Sequence, residues 1–384
     1  PSFSRQAKAS KLSLVFWLTE NVLNIASFRH NAKKPHQYKP HKQTSDKKTP
    51  MPNRRRIIIQ TLALLLLIAG TLYIARQQRT MPYQHNEGMV FGTFYKITYQ
   101  YENDLKEGIE REMKKVDDAL SPFNKNSIIS AVNENKPVAL NDMFMSVYDL
   151  ARTVSEDTDG AFDITVAPLV NAWGFGFKHN IAPTKSTIDS IMNFVGYKKV
   201  RMMGRTIMKD DPRVMLDCSA IAKGYGSDVV AHYLESMGIS NYLVEIGGEI
   251  VAKGSNPKGK PWAIGVEKPV DDSLAVKSEL QTVLNITDMA MATSGNYRNF
   301  YYKDGKKYAH TIDPKTGHPV QHNILSATVI AKRCAMADAY ATAFMVVGLD
   351  KAKEILGRHK DLKAYIIYDK GGKYGIWHTE GLGD

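Results

Sequence analysis

The stretch from Leu216 to Gly248, LDCSAIAKGYGSDVVAHYLESMGISNYLVEIGG, indicates which kind of fold to expect. Its apolar pattern predicts a helix over Tyr225–Met237, ended by Gly238, because glycine is common directly after a helix. A short strand, Tyr242–Ile246, follows and stops at Gly247-Gly248. A loop of small residues, a helix and a strand in succession predict a mixed α+β architecture.

The same mixture of helical and extended patterns continues on both sides of this stretch. In Leu105–Leu120 the apolar residues recur at helical spacing and predict an amphipathic helix. Further helices are predicted over Asp142–Ser155, Ile188–Phe194 and Ala335–Val347, and strands over Phe91–Tyr101, Lys199–Met203, Trp262–Val266, Gln281–Ile286, Ala364–Tyr368 and Tyr374–His378. No internal repeat or Pro/Ser-rich linker divides them. We therefore predict a single α+β domain over residues 80–384.

The charge of the chain is concentrated at its N-terminal end. The 384 residues include 51 Lys and Arg and 39 Asp and Glu, a net charge of +12 that by itself suggests an anionic partner. Thirteen basic residues but only two acidic ones precede Ile57. The rest of the chain is nearly neutral, which argues against nucleic-acid binding by the body. A composition of 43% hydrophobic and 23% charged residues excludes wholesale disorder.

The N-terminal basic residues stand directly before an apolar run. Arg54–Arg56 precede Ile57–Ala75, which carries no charge and as a helix would span about 28 Å, enough for a bilayer core. This pattern predicts a signal anchor or transmembrane helix over residues 51–79, with a buried core helix as the alternative. Residues 1–50 are predicted to be a disordered basic tail, or an upstream artefact if Met51 is the start. We expect a single-pass protein of the bacterial inner membrane, with its body on the periplasmic side.

Six segments are unusually dense in glycine, aspartate, threonine and aromatic residues. In chain order they are FGT (91–93), LSPF (120–123), DGAFDITVAPLVNAWGFG (159–176), LDCSAIAKGY (216–225), TSGNYR (293–298) continuing to HTIDPKTGHPV (310–320), and ADAYAT (337–342). Neither a GxGxxG fingerprint nor a GxxxxGK[ST] loop occurs among them. Their absence argues against standard NAD and nucleoside-triphosphate sites.

Two of these segments contain candidates for a metal or phosphate site. Asp338 and Thr342 are four residues apart on a predicted helix, so their oxygens share one face. Such a pair suits a hard cation such as Mg²⁺, although a solvated Asp beside a Thr bonded to a backbone carbonyl has the same spacing. After Asp217, the small residues of Ser219–Gly224 would expose amides at a helix N-terminus, and Lys223 adds a cation. An ordinary turn with a surface lysine is the alternative there.

His310 lies beside a loop rich in proline and glycine. It suits a general base or a group that orients a hydroxyl, and a hydrogen-bonded structural histidine is the alternative. Cys218 and Cys334 have no partners at zinc spacing and are predicted to be buried, reduced and inert. Four aromatic residues either stack on a planar ring or belong to the core: Phe162, Trp173, Phe175 and Phe177.

Taken together and in this order, the segments resemble the ApbE-like family of FAD:protein FMN transferases from Phe91 to about Gly348. The combination of DGAFDITVAPLVNAWGFG, DCSAIAKGYGSD, EIGGE, TSGNYR, HTIDPKTGHPV and ADAYAT is specific, whereas none of the short motifs is so alone. The resemblance implies an enzyme that uses Mg²⁺, splits the diphosphate of FAD and attaches FMN to a Thr or Ser hydroxyl of an acceptor protein, releasing AMP. By resemblance, the acceptors are subunits of Na⁺-translocating or related membrane redox complexes.

The resemblance also implies which residues form the site. Mg²⁺ would be held by the side chains of Asp338 and Thr342 and by the backbone oxygen of Ala220. His310 would take the proton from the acceptor hydroxyl. The residues implied to contact FAD are Phe91, Phe123, Ala161, Phe162, Asp163, Asp217, Lys223 and Ile312. The family often has methionine at the position of Phe91 and tyrosine at that of Phe123.

Two alternative functions remain compatible with these motifs. If water replaces the acceptor hydroxyl, the same site is a Mg²⁺-dependent FAD pyrophosphatase that yields FMN and AMP. A flavin-binding protein without catalysis is the alternative from another class. Binding alone requires neither the pair Asp338 and Thr342 nor His310, which favours the enzyme.

Overall fold

A computed structural model of the chain describes residues 54–77, 81–176, 183–269, 279–296, 300–303, 306–321 and 323–382. The chain divides by its internal contacts into two units, Pro1–Gln77 and Gln78–Asp384. The first unit contains helix α1, Arg54–Gln77. Within the described residues, no helix meets the length and apolarity needed to cross a membrane. The predicted anchor over residues 51–79 therefore has no support from the structure, and the predicted tail, 1–50, lies outside the described residues.

The second unit alternates strands and helices along the chain. In order, its elements are β1 (Tyr83–Val90), β2 (Thr93–Gln100), α2 (Lys106–Leu120), α3 (Ile128–Asn133), α4 (Asp142–Asp157), α5 (Ala167–Ala172), α6 (Lys185–Met192), β3 (Val200–Met203), β4 (Thr206–Lys209), α7 (Ala222–Ser236), β5 (Tyr242–Ile246), β6 (Glu249–Lys253), β7 (Trp262–Glu267), β8 (Leu280–Ile286), β9 (Met289–Gly295), β10 (Phe300–Lys303), β11 (Lys306–Ala309), β12 (Ile324–Ala331), α8 (Cys334–Val347), α9 (Leu349–Arg358), β13 (Lys363–Asp369) and β14 (Tyr374–His378).

One eight-stranded sheet organises this unit. Its strands lie in the order β1-β2-β5-β6-β9-β12-β13-β14, and each neighbouring pair is antiparallel. Three hairpins, β3–β4, β7–β8 and β10–β11, form separate two-stranded sheets. An antiparallel sheet with helices packed on it is an α+β architecture, as the sequence predicts.

The two faces of the sheet pack against different partners. On one face α8 packs against β9 and β12, while α7 packs against β5, β6 and α8. On the other face the β7–β8 hairpin covers side chains such as Ile250, Met291 and Ile330. Successive strand residues alternate between the faces, so that Val329 packs on the helical side and Ile330 on the hairpin side. The sheet is therefore buried on both faces where it meets α8.

Several predicted elements agree with the structure and several need correction. The helix predicted from Leu105 buries its apolar stripe, Ile109, Met113, Val116 and Leu120, as expected. The strand predicted from Phe91 begins instead at Thr93, because Phe91 and Gly92 form the β1–β2 turn with φ of 51° and 73°. The helix predicted from Tyr225 begins at Ala222. Lys223 and Gly224 therefore belong to the first turn of α7 rather than to the loop before it.

Candidate active site

A cavity of about 770 Å³ lies among the segments that the sequence singles out. It is bordered by residues of α7, α8 and the strands β5 to β7, together with loops that precede α5 and α7. All of the predicted site residues except Phe91 border it: Phe123, Ala161, Phe162, Asp163, Asp217, Ala220, Lys223, His310, Ile312, Asp338 and Thr342. The fold thus brings together residues that are widely separated along the chain.

Phe91 is not among the residues that border this cavity. It occupies the β1–β2 turn, and a Cβ added to Gly226 of α7 would come within 2.6 Å of its ring atom Cε2. Its ring therefore packs against α7, where only a residue without a side chain leaves room for it. The structure gives no support to a contact between Phe91 and a flavin in the cavity.

Asp338 and Lys223 form a buried ionic cluster with Glu249, a residue to which the sequence analysis assigns no role. Lys223 Nζ lies 3.1 Å from Glu249 Oε1 and 4.0 Å from Asp338 Oδ2. The two acids are only 3% and 5% exposed at their side chains. Glu249 opens β6 directly after Gly247-Gly248 and ends the quoted motif EIGGE. A carboxylate at the start of a strand in a glycine-rich motif was the signal that could have identified it.

The electrostatics of this cluster depend on burial and on mutual attraction. Burial lowers the pKa of the Lys223 ammonium. Attraction to Asp338 and Glu249 outweighs burial, so the pKa is raised overall. Burial raises the pKa of the carboxyls of Glu249 and Asp338, and Lys223 counteracts this shift. With all three groups ionised, the cluster carries one negative charge in excess. Within the described part of the chain, Glu249 Oε2 is buried and has no hydrogen-bond partner.

The donor atoms around this cluster fit a hard divalent cation. The carboxylate of Asp338, the hydroxyl of Thr342 and the backbone oxygen of Ala220 all belong to residues that border the cavity. They are oxygen donors only, and with all three charged groups ionised the cluster has one negative charge in excess; both properties suit Mg²⁺. Among the described residues, no group of three or more His, Cys, Asp or Glu side chains is placed to hold a metal ion. The predicted set needs only one such side chain, Asp338, because Thr342 and a backbone oxygen supply the others.

Asp338 also caps the helix that carries Lys223. Its Oδ2 accepts a hydrogen bond from Gly224 N of α7 at 3.0 Å. Asp228 of α7 accepts in return from Cys334 N at 2.7 Å and from Ala335 N at 3.0 Å, the first amides of α8. Burial raises the pKa of Asp228 to about 6, although the two amides oppose this shift. Each helix therefore receives its N-terminal cap from the other, which determines where Asp338 lies.

This capping modifies the predicted phosphate site. The Gly224 amide, one of the N-terminal amides of α7, is occupied by Asp338 and is therefore not open to a phosphate. In the loop before α7, Asp217 Oδ1 accepts from Ser219 N at 2.8 Å, and Asp217 N donates to Ile164 O at 2.7 Å. The loop is therefore tied to the segment that contains Ala161, Phe162 and Asp163.

Asp163 uses both carboxylate oxygens within the protein. Oδ1 accepts from the amide and the hydroxyl of Thr165, each at 2.7 Å, and Oδ2 accepts from Tyr197 N at 2.6 Å. Burial raises the pKa of Asp163, and these hydrogen bonds lower it. The side chain therefore shapes this wall of the cavity by holding the loop in place.

The aromatic residues divide between the cavity and the core. Phe123, Phe162 and Phe175 border the cavity, although Phe162 is only 2% exposed and packs in the core. The ring of His310 meets Phe175 edge-on at 6.5 Å between centroids. Trp173 is instead a core residue that donates through Nε1 to Gly317 O at 2.8 Å and stacks on Tyr308. Phe177 lies outside the described residues. Cys218 and Cys334 are buried free thiols, as predicted.

The α+β fold thus encloses a cavity with an ionic cluster on one side and an aromatic wall, formed by Phe123 and Phe175, on another, which suits a small ligand with charged and planar parts. The ApbE family model matches residues 91–366, and the chain belongs to this family. A FAD:protein FMN transferase of Vibrio cholerae is 40% identical over 305 residues, 77% of this chain and 88% of that protein. One of Escherichia coli K12 is 34% identical over 333 residues, 81% of this chain and 93% of that protein. The flavin transferase ApbE structure from Vibrio cholerae aligns with a TM-score of 0.71 and 36% identity, over 78% of this chain and 97% of that one.

The names of these relatives confirm the prediction of a flavin-transferring enzyme at the level of the family.

We expect Asn133→Ala to loosen the loop before α7. Asn133 Oδ1 accepts from Leu216 N at 2.7 Å, and its Nδ2 donates to Leu216 O at 2.8 Å. Alanine leaves both backbone groups without these partners, which should lower the free energy of unfolding by about 1–3 kcal/mol. Urea unfolding and FAD affinity measure the effect. Asn323→Ala, which removes one exposed hydrogen bond to Asp369 O, is the control, and equal effects of the two changes would contradict this role.

Proposed function

We propose that this chain transfers FMN from FAD to a Thr or Ser hydroxyl of an acceptor protein and releases AMP, in a Mg²⁺-dependent reaction. The observation that carries the proposal is a single cavity with an aromatic wall, an ionic cluster rich in oxygen donors, and a histidine. FAD has matching parts, since its isoalloxazine ring is planar and its diphosphate is anionic. The names of the relatives support the same reaction.

The residues of the cavity account for the main requirements of this reaction. The rings of Phe123, which is exposed, and Phe175, which is half-buried, offer surfaces for a flavin ring, whereas Phe162 supports this wall from the core. The Lys223 ammonium attracts the negatively charged diphosphate. When bound, Mg²⁺ would neutralise the diphosphate and favour departure of AMP. The side chains that hold the substrate also restrict its orientation for attack at phosphorus, and such positioning provides much of the rate in phosphoryl transfer.

His310 is the residue we propose as the base for the acceptor hydroxyl. Its ring borders the cavity beside Phe175, and a neutral imidazole is able to accept a proton near neutral pH. The protonated ring then carries the proton lost by the hydroxyl, while the new bond forms between the Thr or Ser oxygen and the phosphorus of FMN. The bond from that phosphorus to the bridging oxygen breaks and AMP leaves.

One experiment separates transfer, hydrolysis and binding. The chain is incubated with FAD, Mg²⁺ and a protein that carries a Thr-containing flavinylation motif, and the products are analysed by denaturing gel and chromatography. A fluorescent acceptor band together with AMP is the expected result. Free FMN and AMP without a band would make the chain an FAD pyrophosphatase. Bound but intact FAD would make it a flavin-binding protein, and either result would overturn the proposal.

We expect His310→Ala to impair transfer much more than FAD binding. Loss of a general base reduces the rate by about 10²–10⁴-fold, whereas the cavity retains its aromatic and ionic contacts. Rates of acceptor labelling and FAD affinity, read from flavin fluorescence, are measured for the same preparation. His232→Ala, an exposed position of α7, is the matched control. Equal losses of transfer and binding in His310→Ala would contradict the role as base.

The location and the acceptor are further proposals that rest on the sequence. The order of Arg54–Arg56 and the apolar run after them favours a bacterial inner-membrane protein whose catalytic unit is periplasmic. Acceptors in that compartment would be subunits of membrane redox complexes. Cell fractionation and protease treatment of spheroplasts test the location, and recovery of the protein only from the cytosol would show that this prediction is wrong.

A further inference from the structure

We propose that Glu249 is a positioning residue that holds the Lys223 ammonium away from Asp338, so that Asp338 stays available to a divalent cation. This inference rests on the proposed function, because it assumes that Asp338 binds the cation. It assigns a role to a residue that the predicted metal and FAD contacts do not include.

The distances in the cluster carry the inference. Lys223 Nζ lies within hydrogen-bond distance of Glu249 Oε1, at 3.1 Å, but is 4.0 Å from Asp338 Oδ2. The ammonium is therefore bonded to Glu249 and only adjacent to Asp338. Without the Glu249 charge, Asp338 would be the nearest anion, and a short movement would bring the ammonium into direct contact with it.

The surroundings of Glu249 argue against a merely structural ion pair. Its side chain is 3% exposed, and Oε2 has no hydrogen-bond partner among the residues that the structure describes, although buried carboxylate oxygens are normally bonded. A carboxylate whose function was to stabilise the fold would be expected to use both oxygens. Asp163, Asp228 and Asp157 in this same chain use both of theirs.

Because Lys223 lies close to Asp338, its ion pair with Glu249 affects cation binding at Asp338. Lys223 lies in the first turn of α7, next to Gly224, whose amide donates to Asp338. The backbone therefore keeps the ammonium close to Asp338 whatever its partner is. A lysine so near a metal-binding carboxylate would compete with the cation unless a second carboxylate held it, and Glu249 is that carboxylate.

Binding of Mn²⁺ to the full chain tests the inference without turnover. Mn²⁺ affinity is measured by electron paramagnetic resonance in the absence of FAD and acceptor, for Glu249→Gln, Lys223→Gln, the double variant and the unchanged chain. We expect Glu249→Gln to weaken Mn²⁺ binding at least about tenfold. In the Lys223→Gln background the same change should have little effect, because no ammonium remains to approach Asp338.

The control is Glu235→Gln, which breaks a more exposed ion pair with Lys253. Neither residue borders the cavity, so Mn²⁺ affinity should be unchanged. Thermal unfolding shows whether each variant is folded. Equal weakening by Glu249→Gln with and without Lys223 would overturn the inference, since Glu249 would then act on the cation directly. Unchanged affinity in Glu249→Gln would overturn it as well. If the unchanged chain binds FAD but no Mn²⁺, the proposed metal dependence itself is wrong, and the inference is lost with it.

Discussion

Asp338→Asn is expected to lower Mg²⁺-dependent turnover of FAD at least about a hundredfold while the chain stays folded. Asparagine has the shape of aspartate, and its side-chain oxygen is able to accept the hydrogen bond from Gly224 N that Asp338 Oδ2 accepts at 3.0 Å. It lacks the negative charge that a cation needs. The change therefore separates the cap, which is retained, from the metal-binding group, which is lost.

FMN release at several Mg²⁺ concentrations measures the metal-dependent turnover of this variant, and thermal unfolding measures whether it stays folded. Asp350→Asn is the control, because Asp350 is a fully exposed acid in the first turn of α9. Asp338→Ala is less informative, since it leaves the buried Gly224 amide without its partner at a cost of about 1–3 kcal/mol. Undiminished turnover in a folded Asp338→Asn protein would contradict the assignment of Asp338 to the metal.

Gly224→Ala is expected to destabilise the fold and to disturb the site at the same time. A Cβ at this position would lie 2.5 Å from Cys334 O and 2.9 Å from Ala335 Cα. These are backbone atoms of α8, which cannot rotate away as a side chain does. Overpacking of this kind costs about 1–3 kcal/mol or more, in spite of the better helix propensity of alanine. The two helices have to separate, and Asp338 moves with α8.

Chemical denaturation and Mn²⁺ affinity are the measurements for this variant. Gly357→Ala is the matched control, because a Cβ there meets nothing within 4 Å and alanine favours the helix α9. We expect Gly357→Ala to have unchanged or slightly higher stability. A Gly224→Ala protein as stable as this control, with normal Mn²⁺ affinity, would show that the crossing of α7 and α8 does not position Asp338.

The strands that the sequence analysis missed lack the alternation of apolar and polar residues on which strand prediction depends. β6, β9 and β12 lie in the middle of the sheet, and β12 is buried at nearly every residue. A strand covered on both faces lacks the alternation of apolar and polar residues that predicts a strand. β1 was missed for the opposite reason, because it forms the edge of the sheet and its sequence YQHNEGMV is mostly polar. The helices α3 and α5 have only six residues each, too few for a helical period.

The sequence by itself determined the family and the mixed architecture, and eleven of the twelve site residues predicted from it border the cavity. These features are recognised from short motifs of neighbouring residues and from the order of those motifs along the chain. Helices such as α2 can be predicted from the sequence as well, because an amphipathic stripe is a local pattern.

Only the tertiary structure decided how the charged groups are paired. Asp338 and Gly224 are 114 residues apart and Asp228 and Cys334 are 106 apart, so no local pattern reveals that α7 and α8 cap each other. The bond between Lys223 and Glu249 likewise arises because α7 packs against β6. Phe91 likewise packs against Gly226 of α7 and does not border the cavity. Pairing of this kind depends on which surfaces the folded chain brings into contact, and composition and spacing do not contain that information.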